Sequence, residues 1–563
     1  MHKPVLALAA ALLSTSALAD TLVSNVNGIQ VGKDGKVQHF RALTIGEDGK
    51  VRQVLEHPEL VRLAGITSTI DGGGRTLLPG LIDAHGHVTA LGTAAMTVQL
   101  TGTSSIADLQ QRLRTYAAAN PDKAWISGFG WNQELWPDKR YPTAADLDAM
   151  VLDRPVVLER VDGHAIVVNH TAIKAAGVTA ATPDPVGGKI ERDSSGNPTG
   201  LFVDKARSLI ERSIPPQTPA DDDEALVKAQ AQLLSFGITA VGSMSTTPGD
   251  WAAFRRAGTS GRLQVRLMTY MNVTDAAATN QTPTPWLYSD HLRLVGVKLF
   301  ADGALGSRGA WLKQPYADKP DSSGLRFRSN TEYMAMADAA AGRGFQLATH
   351  AIGDAAIAQV IGAYEQLSKK YGLDRRWRIE HLQIADPKDI PRLAPAGIIA
   401  SMQPTHQTSD RLMAEKRLGP NRLAGAYAWQ SVLKSGARLA FGTDFPVESP
   451  NPFPGLSAAI SRQDMEGQPP GGWIPSERLN FVQALDAYTR GAAYAGFAED
   501  KIGAIEPGKW ADFILIDRDP TKVDAQALAR TQVLETWVAG KKVWSSETPL
   551  RRSSAAPQEE RGK

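Results

Sequence analysis

The run Leu81-Ile82-Asp83-Ala84-His85-Gly86-His87 closes an apolar stretch, Thr76–His85, that reads as a buried strand ending in two histidines. Residues i and i+2 of a strand point to the same side, so His85 and His87 can hold one cation between them. The plainer alternative is a turn pair with no ligand. Other apolar runs downstream end in a similar way. Strand candidates follow at Ile238–Ser243, Val265–Tyr270, Leu294–Ala301, Gln346–His350, Trp377–His381, Ile398–Gln403 and Leu439–Asp444, eight in all with the first. Amphipathic stretches such as Asn330–Ala341 and Ala355–Lys370 separate several of them. Alternating strands and helices in that number predict an α/β fold, a (β/α)8 TIM-like barrel. A doubly wound open sheet is the alternative from the pattern alone.

The ends of these strands carry the chemistry. Lys298 lies on the fourth, and His350, His381 and Asp444 close the fifth, sixth and eighth. Each residue alone has a duller reading: a satisfied core histidine, or an aspartate capping the next segment. Their shared placement at strand ends favours a ligand set, and His with carboxylate donors suits Zn²⁺ or a similar divalent ion. Lys298 sits among Val295, Val297 and Phe300, where an ammonium is costly to desolvate. It must be neutral, paired with an acid such as Asp302, or carboxylated by CO₂ to an anionic ligand.

Outward from the barrel, two β-rich ends flank the middle. Residues 20–78 and 503–548 are punctuated by Asn27-Gly28, Asp34-Gly35, Asp48-Gly49 and Pro507-Gly508, and they predict one small β-sandwich domain built from both termini. The barrel spans 79–502. About 130 residues separate its first two strands, so residues 105–225 read as a large insertion after strand 1, containing several helices and forming a lid or substrate wall. Trp131 and Trp136 there are candidate substrate contacts, with ordinary packing the alternative. His164, in Asp162-Gly163-His164, is a candidate for polarising or orienting substrate. Asp302 and Arg308 either bind substrate or organise the loop beyond Lys298.

Met1 to Asp20 reads MHKPVLALAAALLSTSALAD, with Lys3, a short apolar run and a small-x-small Ala17-Leu18-Ala19. This is the pattern of a signal peptide, residues 1–19, and predicts a periplasmic or secreted protein. No run is long enough for a membrane anchor. The polar, mixed-charge residues 549–563 read as a disordered tail. Of the 563 residues, 61 are Lys or Arg and 59 are Asp or Glu, a formal charge of +2 that gives nucleic acid no purchase. The expected partner is a small-molecule substrate. Oligomeric state is not legible, and a homodimer is compatible. There is no cysteine, which excludes disulfides, Cys-ligated metals and a thiol nucleophile.

Several of these segments together carry a family resemblance. Pro79–His87, Lys298-Leu299-Phe300-Ala301-Asp302-Gly303-Ala304-Leu305-Gly306-Ser307-Arg308, Thr349–Asp354, Arg378-Ile379-Glu380-His381, Gly442-Thr443-Asp444-Phe445-Pro446 and Gly503–Asp512 resemble the amidohydrolase superfamily, in its YtcJ-like branch, amidohydrolase family 3. The resemblance covers essentially all of the chain after residue 19. It implies that His85, His87 and Asp444 hold the more buried of two metals, His350 and His381 the second, and carboxylated Lys298 both. It further implies two Zn²⁺ per chain and hydrolysis of an amide, N-acyl or N-formyl C–N bond by a hydroxide between the metals. Asp444 would accept the proton. A mononuclear deaminase or cyclic-amide hydrolase, which needs no bridging carbamate, is the alternative on this scaffold. A non-catalytic metal-containing binding protein is the alternative from another class, and the intact Asp444 argues against it.

Overall fold

The computed structural model describes residues 20–57, 65–160, 165–185 and 188–546. The signal segment expected at 1–19, the tail expected at 549–563 and the candidate His164 lie outside them. No helix among the described residues is long and apolar enough to cross a membrane.

Eight strands form one sheet: β1 Leu81–Gly86, β2 Ile238–Thr246, β3 Arg266–Asn272, β4 Leu292–Phe300, β5 Gln346–Ala351, β6 Arg378–His381, β7 Ile399–Met402 and β8 Arg438–Phe441. Each pairs parallel with the next in chain order. β8 returns to β1: the Asp444 amide donates to the His85 carbonyl at 2.8 Å. The Asp83 carboxylate accepts from the Thr443 amide and hydroxyl at 3.0 and 2.7 Å. Gly442 permits this approach, because a Cβ there would stand 2.5 Å from the His85 nitrogen. The sheet is therefore the expected (β/α)8 barrel.

Its helices start where polar side chains satisfy free amides. Capping boxes at Thr218/Asp221, Thr247/Asp250 and Ser329/Glu332 open Pro219–Ser235, Pro248–Thr259 and Asn330–Gly342. One apolar cluster joins strand residues Leu267, Leu294, Leu347 and Ile379 to helix residues Leu233, Phe254, Ile357 and Tyr364. Burial of that layer is what holds helices to strands.

The first strand candidate, Thr76–His85, divides at Gly80. Thr76–Pro79 pairs with Phe513–Ile516 and Asn27–Val31 in a separate sheet, and only Leu81–Gly86 enters the barrel. That separate sheet has six strands, Lys541–Ser545, Val533–Val538, Phe513–Ile516, Thr76–Pro79, Asn27–Val31 and Val37–Phe40 in spatial order. A four-stranded sheet, Val51–Leu55, Ala42–Ile45, Asp20–Ser24 and Ile66–Asp71, packs on it. Val23, Leu43 and Ile45 share one core with Leu77, Phe513, Leu515 and Trp537. Both chain ends thus build one β-sandwich. Arg266 at the start of β3 joins it to the barrel, donating to Asp512 at 2.7 and 3.0 Å with both side chains buried.

Between β1 and β2 lies a further six-stranded mixed sheet, in the stretch where the sequence suggests several helices. Its strands run Gly188–Arg192, Pro198–Asp204, Ala165–Val168, Val156–Arg160, Ile126–Trp131 and Val98–Gln99 across the sheet. It begins before residue 105, and Pro219–Ser235 belongs to the barrel, packed so closely on Val88–Ala95 that a Cβ on Gly92 would meet the Ala225 carbonyl.

Candidate metal centre

The C-terminal ends of β1, β4, β5, β6 and β8 bring together His85, His87, Lys298, His350, His381 and Asp444. His85 Nε2 and His87 Nε2 stand 3.4 and 3.1 Å from Asp444 Oδ1. The His85 ring centroid lies 4.8 Å from that of His381, which lies 4.7 Å from that of His350. Lys298 Nζ is 3.2 Å from His85 Nε2 and 5.2 Å from the Phe300 ring centre. His381 and Asp444 both occupy the left-handed region, with φ of 74° and 61°. Such backbone costs about 1–3 kcal/mol and persists where the surroundings dictate it. At Asp444 the dictating contact is the Asp83–Thr443 clasp, which turns the carboxylate over the barrel mouth.

Two of the rings are aimed by a partner on the other nitrogen. His85 Nδ1 lies 2.6 Å from Glu380 Oε2. Glu380 is gripped in turn by Arg378, at 2.8 and 3.0 Å. Arg378 also donates to the Ala84 carbonyl and to Ser401, so the relay is locked to β1 and β7. His381 Nδ1 lies 2.8 Å from Gln403 Oε1. A carboxylate or amide oxygen on Nδ1–H leaves the Nε2 lone pair free for a cation. Glu380 stands in a quoted motif, yet its sequence position offers no hint of this role. The contact joins residues 295 positions apart.

Electrostatics suit the same use. Burial, with Lys298 beside it, pushes His85 down to about 4, and burial pushes His350 to about 3 and His381 well below its ordinary value. These imidazoles are neutral, as a ligand must be. Burial would raise Asp444, but His85, the His87 hydrogen bond, His381 and His406 overcome it and hold the carboxylate well below its usual range. Burial pushes the Lys298 ammonium down to about 8. Neutral imidazoles around an ionised carboxylate fit a divalent cation. The donor atoms of His85, His87 and Asp444 lie within 4.8 Å of one another, and so do those of His381, His406 and Asp444. His406 is the residue that sequence reasoning missed. Its sequence signal is faint: it lies three residues past the end of the β7 candidate, whereas most of the other ligands close or lie within theirs.

The remaining candidates are engaged in other contacts. Trp131 and Trp136 are 0% and 1% exposed inside the insertion, and their indole N–H groups donate to the Leu158 and Thr103 carbonyls. They are core residues rather than a substrate wall, because an indole buried with its N–H satisfied has no free face. The Arg308 guanidinium pairs with Asp318 at 2.9 Å, in keeping with the loop-organising alternative. Asp302 does not pair with Lys298. Its carboxylate accepts the Trp311, Ile352 and Gly353 amides at 2.9, 3.0 and 2.8 Å, which makes it an organiser of the loops after β4 and β5.

Residues 68–544 match the family model described as Amidohydrolase family. The putative amidohydrolase YtcJ of Bacillus subtilis (strain 168) is 33% identical over 483 residues, 85% of this chain and 90% of that protein. The N-substituted formamide deformylase of Arthrobacter pascens is 29% identical over 490 residues, 84% of this chain and 89% of that protein. Among solved structures, an uncharacterized metal-dependent hydrolase from Pyrococcus horikoshii OT3 aligns with a TM-score of 0.75 at 28% identity, over 90% of this chain and 99% of that one. With its barrel, its strand-end histidines and this match over most of its length, the chain belongs to the amidohydrolase family.

Proposed function

We propose that the protein hydrolyses the C–N bond of a small amide, N-acyl or N-formyl compound other than a peptide. Two divalent cations, zinc by ligand type, would be held by His85, His87, His350, His381, Asp444 and a carboxylated Lys298. The observation that carries this reading is the convergence of His85 and His87 on one oxygen of Asp444, at 3.4 and 3.1 Å, beside further neutral histidines. Cations held there polarise a carbonyl and lower the pKa of water.

The side chains supply the rest. Asp444 stands between two histidine pairs and can take a proton from an attacking water and pass it to the leaving nitrogen. Lys298, at about 8, has a substantial neutral fraction near physiological pH, and the neutral amine is the form that adds to CO₂ with loss of a proton. His164 is the candidate for polarising the carbonyl or orienting the substrate. Similarity to the N-substituted formamide deformylase of Arthrobacter pascens supports trying N-formyl compounds first.

The test is metal-reconstituted protein offered a panel of N-formyl compounds, N-acyl compounds and cyclic amides. Release of a carboxylic acid with its amine, abolished by Asp444→Asn, is the expected result. Ammonia released from an aminated ring would favour the mononuclear deaminase. Tight ligand binding without turnover would favour a binding protein.

A further inference from the structure

The segment after β7 gathers buried polar atoms that lack partners. Gln403 Nε2, Thr405 Oγ1, His406 Nε2 and both polar atoms of the Gln407 amide are buried without a hydrogen bond. Leaving one such group unmade costs about 1–3 kcal/mol. Their concentration in one turn, at the start of helix Pro404–Leu418, marks a place shaped for something other than protein. The other end of Gln403 is already committed, its Oε1 lying against His381 Nδ1.

His406 is the member that faces the centre. Its ring stacks along that of His381, with centroids 6.0 Å apart and planes at 20°. Its Nε2 is 3.8 Å from Asp444 Oδ2, and its side chain is 12% exposed. The other oxygen, Oδ1, belongs to His85 and His87. Asp444 therefore turns one oxygen to His85 and His87 and the other to His406, with a His381 donor atom also within 4.8 Å, an arrangement that suits a carboxylate shared by two cations. His350, the partner that the family resemblance gives to His381, is turned aside, with Nε2 3.5 Å from both Asp302 Oδ1 and the Gly303 carbonyl.

We propose that His406 is a ligand of the second divalent-cation position, built from His381, His406 and Asp444, with Asp444 shared between the two positions. This rests on the reading that the centre binds divalent cations.

The experiment loads the full-length apo-protein with Co²⁺, whose visible spectrum reports its ligands. Wild type, His406→Ala, His406→Gln and His87→Ala are compared for ions bound per chain, for affinity against a competing chelator and for the cobalt spectrum. Circular dichroism confirms folding of each variant. Wild type is expected to hold two ions. Both His406 variants should keep one and weaken the other by more than about 100-fold, beyond what loss of a merely orienting partner costs. His87→Ala should lose the other ion and retain the His406-dependent spectrum. Folded His406 variants that hold both ions with unchanged affinity and spectrum overturn the proposal, and loss of turnover in them would assign His406 to the substrate instead. A wild type that takes up no cobalt overturns the metal reading itself, and this proposal with it.

Discussion

Lys298 shows how a single buried residue sets a chemical state. Burial lowers its ammonium to about 8, so its neutral fraction rises roughly 30-fold between about pH 6.5 and about pH 9. The sign follows from the depressed value: the neutral amine gains as pH rises through 8, well before an exposed lysine would release its proton. Carboxylation of apo-protein at fixed dissolved CO₂ should therefore speed up by about that factor, followed by ¹³C NMR of the labelled carbamate. A rate flat across the range would show the amine is not the reacting form. Lys298→Ala should fold, lose most activity and regain part of it with a short carboxylic acid at high concentration, which can supply the missing anionic ligand. A fully active Lys298→Ala protein holding one ion would favour the mononuclear alternative. Lys298 is legible in sequence because a lysine among Val295, Val297 and Phe300 breaks the pattern of its own strand.

At the scale of the element, the insertion sheet decides what its tryptophans do. Trp136 lies in a core with Leu109, Leu113 and Leu147, its indole N–H on the Thr103 carbonyl. Trp136→Phe should cost about 1–3 kcal/mol through the lost hydrogen bond and a small void, measured by urea unfolding, and leave KM unchanged. A raised KM at unaltered stability would restore the substrate contact. The helix after β7 carries the converse case. His406 belongs to no spaced pair, and whether it meets Asp444 depends on how Pro404–Leu418 is rotated on the barrel.

At the scale of the molecule, the sandwich and the barrel are tied by the buried Arg266–Asp512 pair. Asp512→Ala leaves Arg266 charged, buried and short of its carboxylate, which should destabilise the fold by about 3–5 kcal/mol while metal content per folded chain stays at the wild-type level. Unchanged denaturant stability would mean that water or another acid takes the place of Asp512. Export is the other whole-chain expectation. Mass spectrometry of protein from the periplasmic or secreted fraction should find Asp20 at the N-terminus, and an intact Met1 on cytoplasmic protein would contradict it.

The amino-acid sequence alone determined the barrel, the pairing of both termini in one sandwich, and six residues of the centre. These depend on short-range regularities: the i, i+2 spacing of His85 and His87, apolar runs of strand length, and ligand types at their ends. Only the tertiary structure decided the rest. The stretch from Thr76 to His85 reads as one strand interrupted only by Pro79-Gly80 and Asp83, and it divides at Gly80 because two different sheets capture the two halves. The Asp83–Thr443 clasp that aims Asp444 joins residues 360 positions apart. Glu380 behind His85, and His406 beside His381, are likewise set by closure of the barrel. Such contacts leave no local periodicity, because the partners meet only after the strands between them have packed.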